Sequence, residues 1–176
     1  MTSTELKSVL ATILAPATFV TTLAWCDTAR AKTADRGQPM IISSDSTNCK
    51  VTANGHCHHR GNVEINQGTL EIRADTAEVQ KKNDEIHRII FTGSQATLKQ
   101  QLDDSTWTNA RADRIDYRIS DNLVVLTGNY EVSSIQGTTT GQKMVYNVVT
   151  GEIRSGGDGT RVRTVIMPKN PRPSIR

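Results

Sequence analysis

Between Asn62 and Arg73 the chain alternates. Val63 and Ile65, then Leu70 and Ile72, share one parity, and Glu64, Asn66, Glu71 and Arg73 take the other. The pattern recurs where Tyr130 and Val132 alternate with Asn129, Glu131 and Ser133. A period of two sends successive side chains to opposite faces of a strand. Turn-forming residues punctuate the pattern roughly every ten residues, as in all-β domains. They stand at Asn54-Gly55, Gly61-Asn62, Gly68, Lys82-Asn83-Asp84, Gly93, Asp103-Asp104, Ser120-Asp121-Asn122, Gly128-Asn129, Gly137, Gly141 and Gly156-Gly157. No window after residue 31 sustains a helical period. The expectation is an all-β domain of antiparallel strands.

The chain also repeats itself. Ser44-Asp45 precedes Cys49 by the offset at which Ala74-Asp75 precedes Val79 and Ala112-Asp113 precedes Tyr117; Gly141-Gln142 stands in the same relation to Tyr146. A glycine then opens the next strand, at Gly61, Gly93, Gly128 and Gly156 or Gly157. The period is about 30 to 38 residues, two to three strands per decayed unit. Such units bury an apolar face only by stacking or folding over one another. Recurrence of Asp75 and Asp113 points to a structural role, such as holding turn N–H groups, rather than acid–base catalysis.

The first 31 residues read differently. Val9 to Trp25 is uncharged and mostly apolar, Lys7 precedes it, and Ala29-Arg30-Ala31 has the small-x-small form of a cleavage site. Residues 1–31 are expected to be a cleaved signal peptide and 32–168 the folded domain. Residues 169–176, a basic tail with Pro171 and Pro173, are expected to be extended or disordered. A retained anchor and lipidation at Cys26 are the alternatives, the latter disfavoured by the bulk of Trp25.

Composition narrows the function. The formal charge of +3 over 176 residues is too mild for a nucleic-acid binder, which shows a basic stripe with stacking aromatics. Gly156-Gly157-Asp158-Gly159 is followed by no helix to supply a phosphate-binding dipole. Asp103-Asp104 reads as a solvated turn, and no Ser–His or Cys–His pair stands out, so no enzyme, cofactor or metal is expected. The metal-like cluster is Cys49, His56, Cys57, His58 and His59, but strand geometry sends His58 away from Cys57 and His59. In an exported protein Cys49 and Cys57 are also a disulfide candidate. A three-residue loop Ala53-Asn54-Gly55 with Gly55 left-handed makes Val51 face Cys57 and Cys49 face His59, which leaves the sulfurs diagonal and too far apart. A register shift would pair them.

Several segments together resemble the periplasmic lipopolysaccharide transport protein A family, of the organic-solvent-tolerance type. They are Gln38-Pro39 leading to Ser44-Asp45, Gly61-Asn62-Val63, Gln67 to Asp75, Gln95-Ala96-Thr97-Leu98, Ala112-Asp113 to Tyr117, Leu126-Thr127-Gly128-Asn129, Gly141 to Tyr146, Arg161-Val162 and Pro168. The pattern departs from the family at His59, Cys49 and Gln95, and the hairpin between the cysteines is longer by a residue. The resemblance implies an antiparallel β-jelly roll folded into a V, open at both ends. It implies a periplasmic carrier of lipopolysaccharide, held by its lipid A part and passed from inner to outer membrane. Its implied partners are a bitopic inner-membrane transport subunit, an outer-membrane translocon and further copies of itself head to tail. The anchored subunit of the same system is a close variant. A structural β-repeat assembly protein is another reading, and so is a polysaccharide-acting β-solenoid enzyme, which needs a concave carboxylate cluster.

A carrier of acyl chains must offer a continuous apolar lining. Each methylene is worth about 0.8 kcal/mol on burial, so a dozen carbons cost about 10 kcal/mol to expose. By parity the inward, groove-lining candidates are Met40, Ile42, Val63, Ile65, Leu70, Ile72, Phe91, Ala96, Leu98, Tyr117, Leu126, Tyr130, Val132, Met144 and Tyr146. Each is equally readable as plain core. The strands near Met40 to Ser44 and Arg161 to Met167 are the expected docking edges.

Overall fold

The computed structural model describes residues 32–157 and 159–168; the expected signal peptide and basic tail lie outside them. After a 3-10 turn at Thr33–Gly37 come ten strands: β1 (Ile41–Ser43), β2 (Ser46–Lys50), β3 (His56–Gln67), β4 (Leu70–Lys82), β5 (Glu85–Gln101), β6 (Trp107–Arg118), β7 (Leu123–Ser134), β8 (Gly137–Asn147), β9 (Ile153–Ser155) and β10 (Arg163–Ile166). All pairings are antiparallel between chain neighbours, except that β1 joins β3 and β10 joins β8. The result is one unclosed sheet. This is the antiparallel jelly roll folded into a V, all-β as the alternation requires.

The fold of the V comes from bends at one level in every long strand. Pairing is interrupted between Arg60 and Val63, Arg73 and Thr76, Thr92 and Ala96, Arg111 and Arg114, and Thr127 and Tyr130. At each break β3, β5 or β7 spends more residues than its partner, which is a bulge, and bulges bend the strand that carries them. Gly61-Asn62 and Gly128-Asn129 are both left-handed, with φ of 77° and 46° in one pair and 79° and 45° in the other. The recurring acids sit opposite. Asn62 donates to Asp45 at 2.9 Å, the Ser94 N–H to Asp75 at 2.8 Å and Asn129 to Asp113 at 3.0 Å. The expected structural role of Asp75 and Asp113 is therefore what the structure shows.

The glycines need correcting. Gly61, Gly93, Gly128 and Gly141 were expected to separate strands, but they lie inside β3, β5, β7 and β8. They mark corners rather than reversals. The hairpin turns are elsewhere, for example at Gly68 and at Asn83-Asp84, where both residues have positive φ as in a type I′ turn. At Gly61 and Gly128 local composition does not separate the two because both need left-handed backbone; Gly93 and Gly141 are not left-handed, and a Cβ there would meet Asp75 and Tyr130.

The corner line divides the sheet into two leaves. One holds β1, the C-terminal half of β3, the N-terminal half of β4, and so on to β10. The other holds β2, the complementary halves and β9. Their facing surfaces form one apolar cluster that includes Val63, Ile65, Ile72 and Ala96 from the first leaf and Val79, Ile89, Phe91, Ile115 and Met144 from the second.

The hairpin at the N-terminal edge also departs from expectation. Cys49 pairs with Cys57 and Lys50 with His56, leaving a five-residue loop in which Gly55 is not left-handed. The cysteines form a disulfide at an S–S distance of 2.06 Å. The local turn rule fails because the loop is held from outside: Lys81 N–H donates to Gly55 O and Asp84 N–H to Ala53 O, each at 2.9 Å. Neither sulfur is then a free thiolate to bind metal. His56 and His58 meet edge to face at 5.1 Å, while His59 Nδ1 lies 3.1 Å from Ser44 Oγ and 3.0 Å from Thr47 Oγ1.

Two stability predictions follow from these corners and this edge. Gly157→Ala strains a left-handed residue with open space around it and should cost about 1 kcal/mol. Gly128→Ala adds overlap with the Asp113 carboxylate and should cost roughly twice as much on the same scale; urea midpoints compare the two. Replacing both Cys49 and Cys57 with serine should cost about 2–3 kcal/mol, given their separation of 8 residues, read as a fall in the thermal midpoint without reductant.

Candidate functional site

Side chains on the inner faces line up across strands as well as along them. On the first leaf the paired positions Ile42, Ile65, Ile72, Leu98, Ala110 and Val132 make one row crossing β1, β3, β4, β5, β6 and β7. On the second leaf Cys57, Val79, Ile89, Tyr117, Val124, Tyr146 and Ile153 do the same from β3 to β9. Beside it run Ala77, Phe91, Ile115, Leu126 and Met144. Strands lie about 4.8 Å apart, so a row across seven strands is about 29 Å long. The rows run perpendicular to the strands, from one edge of the sheet towards the other.

All fifteen inward candidates fall in this cluster. Val63, Ile65, Leu70, Ile72, Phe91, Ala96, Leu126, Tyr130 and Met144 are buried, and Met40, Ile42, Leu98, Tyr117, Val132 and Tyr146 are partly buried against them. Parity reasoning left out Ile89, Ile115 and Val124, which share the parity of Phe91, Tyr117 and Leu126 on their strands and were readable on that signal, and Val79, whose parity is opposite to that of Leu70 and Ile72 because the corner between Arg73 and Thr76 changes the phase of β4. It also left out Val148, whose burial comes from a loop folded back to Asn122.

The leaves do not touch everywhere. A cavity of about 150 Å³ lies between Leu98, Ala110 and Val132 on one leaf and Val124, Leu126, Met144 and Tyr146 on the other. Its lining is mostly apolar. Towards the open side of the V it turns polar, at Gln100, Thr108, Ser134 and Gln136. The first-leaf row also turns polar along its length: beyond Val132 it continues as Thr139 and Thr164. Ala110, opposite Leu98, keeps the gap wide.

Charge is kept to the outside. Arg88 grips the Asp116 carboxylate at 2.7 and 2.6 Å and Arg118 adds a contact at 3.2 Å. Burial raises the affinity of the Asp116 carboxyl for a proton, but the two guanidiniums outweigh it and hold the group below the ordinary carboxylate range. Within the groove, burial pushes the Tyr117 phenol up, opposed by the nearby Arg36 charge. Burial pushes His59 down at the N-terminal edge, helped by His58. No group of acids, histidines and cysteines among the described residues is arranged to hold a metal. A trough with so apolar a lining can enclose hydrocarbon.

Residues 41–152 match the family model described as LptA/(LptD N-terminal domain) LPS transport protein. The chain belongs to this family. Its members are non-catalytic, which removes the enzyme reading. The chain is 32% identical over 141 residues to the lipopolysaccharide export system protein LptA of Escherichia coli K12, spanning 78% of this chain and 76% of that protein. The export system protein LptH of Pseudomonas aeruginosa is 29% identical over 144 residues, spanning 80% and 78%. The crystal structure of LptH, the LptA-homologous periplasmic component of the conserved lipopolysaccharide transport device of Pseudomonas aeruginosa, superposes with a TM-score of 0.69. It shares 26% identity and covers 76% of this chain and 99% of that one.

Tyr130 gives a test of the packing at the corner. Its hydroxyl is buried without a hydrogen-bond partner among the described residues, and a Cβ at Gly141 would press on its ring. Tyr130→Phe should leave stability unchanged or raise it by up to about 1 kcal/mol, since an unpaired buried hydroxyl is unfavourable. Gly141→Ala should lower it. Denaturant midpoints of the two variants read the contrast.

Proposed function

We propose that this chain is a periplasmic carrier that shields the acyl chains of lipopolysaccharide between its two leaves and passes them from the inner towards the outer membrane. The observation that carries this reading is the set of apolar rows running across the sheet rather than along any one strand. A hydrocarbon laid along such a row meets a new side chain at each strand and never meets water until it reaches an edge. The names of the relatives, export system proteins for lipopolysaccharide, supply the cargo class.

Among the described residues both edges of the sheet are unpaired. β1 and β2 pair with β3 alone, and β9 and β10 with β8 alone. Exposed Ile41 flanks one edge and Ile166 and Met167 the other. An unpaired edge accepts another strand. On this reading copies join head to tail, the β1–β2 edge receives the bitopic inner-membrane subunit, and the β9–β10 edge meets the outer-membrane translocon. Such a contact is heterologous and carries the apolar rows on into the next copy. Export by the signal peptide of residues 1–31 puts the carrier in the periplasm. No nucleic acid, cofactor or metal enters the scheme.

Photo-crosslinking residues placed in cells at Leu98 and Tyr146 test it, with the outward neighbours Lys99 and Val145 as controls. Lipopolysaccharide adducts are expected from the two inward positions and not from the controls. Equal capture from all four, or capture from none, sinks the proposal.

A further inference from the structure

The two leaves are joined by the corner line on one side of the V. On the other side they end in two rows of hairpin turns, which form the lips of a gap. The segment just before β1 runs along the first-leaf lip and sends one side chain across that gap. Most of its bonds are to the first leaf. Lys32 donates to Gln101 through its backbone N–H at 3.2 Å and its ammonium at 2.8 Å. The buried Asp35 carboxylate accepts from Thr69 Oγ1 and packs on Gly68. Gln67 donates to Gln38 O at 3.1 Å. The bond to the second leaf is different: Arg36 Nη2 reaches Val148 O at 2.6 Å.

Val148 belongs to the opposite lip, since its own N–H bonds Asn122 O in the β6–β7 turn. Beneath the crossing is a cavity of about 20 Å³ touched by Arg36, Leu70, Leu98, Tyr117, Val124 and Val148, from both leaves. Leu98, Gln100 and Val124 also line the 150 Å³ cavity next to it. The strap therefore roofs the groove just on the N-terminal side of its widest part.

We propose that residues 32–38 are a latch across the open side of the groove, hinged on the first leaf and released where Arg36 lets go of Val148. The inference rests on the carrier reading for its purpose. An amphiphile whose acyl chains ride between the leaves must trail its polar headgroup through the gap, and a strap across the gap stops that headgroup. The asymmetry of the bonds says which contact opens. The contacts with the first leaf include a buried carboxylate and several partners on both sides of Arg36, whereas the contact with the second leaf is an exposed guanidinium on a neutral carbonyl, a bond that water can replace at low cost.

Spin labels at Asn109→Cys and Glu85→Cys, one on the outer surface of each leaf, report the gap width by pulsed electron resonance in the full chain on a Cys26→Ser background. Arg36→Ala is expected to lengthen and broaden the distance distribution. Arg73→Ala removes the same charge from the outer face and should leave it as in the parent. In parallel, transfer of lipopolysaccharide from labelled to unlabelled copies should quicken at least threefold in Arg36→Ala, and photo-capture at Tyr146 should persist. An unchanged gap overturns the latch whatever the cargo does. A wider gap with unchanged transfer overturns it too, leaving Arg36 as a brace. If Tyr146 captures no lipopolysaccharide in either protein, the carrier reading falls, and the gap distances still decide whether the strap holds the leaves together.

Discussion

A single sheet cannot bury one of its own faces unless every strand bends at the same level. In this chain that requirement is met by a line of short polar contacts, Asp45 with Asn62, Asp75 with Ser94, Asp113 with Asn129 and Gln142 with Asn129. Each joins an acid or amide to the bulge on a neighbouring strand, Asp45 doing so from the link between β1 and β2. Misplacing one bulge would shift the register of everything beyond it and turn apolar side chains to solvent. The apolar cluster, the cavity and the lips of the gap all depend on the corners staying in line.

The corners also explain how a sheet with so few aromatics encloses a trough. Ala74, Ala96 and Ala112 sit in register beside the bend, Ala96 and Ala112 being directly paired. Small side chains let the leaves close near the hinge. Larger ones, Phe91, Leu126, Tyr130 and Met144, also sit beside the bend in the same cluster, while Leu98, Tyr117 and Tyr146 stand further out.

Much of this was legible in the residues. The alternation at Val63 to Ile72 and the recurring small-acid pairs placed the strands, the inner face and the structural acids. What local reasoning missed depended on partners far along the chain. Gly61 and Gly128 carry the same left-handed backbone that a hairpin turn would need, and only the opposing acids make them corners. The Cys49–Cys57 bridge depends on a loop propped by the β4–β5 hairpin, which no rule for isolated turns includes. The strap at Lys32 to Gln38 has no periodicity at all; its place follows from single bonds to Gln101, Gln67 and Val148.

The polar end of the first-leaf row has a directional meaning. From Ile42 to Val132 a hydrocarbon would have a greasy wall on each side. At Thr139 and Thr164 one wall becomes hydroxyls while Tyr146 and Ile153 continue the other. At about 25 cal/mol per Å² of apolar contact, the hold such a wall could have on hydrocarbon weakens over the last two strands. A lining that turns polar towards one edge is not symmetrical between its ends: the β10 edge offers apolar matter less than the β1 edge does.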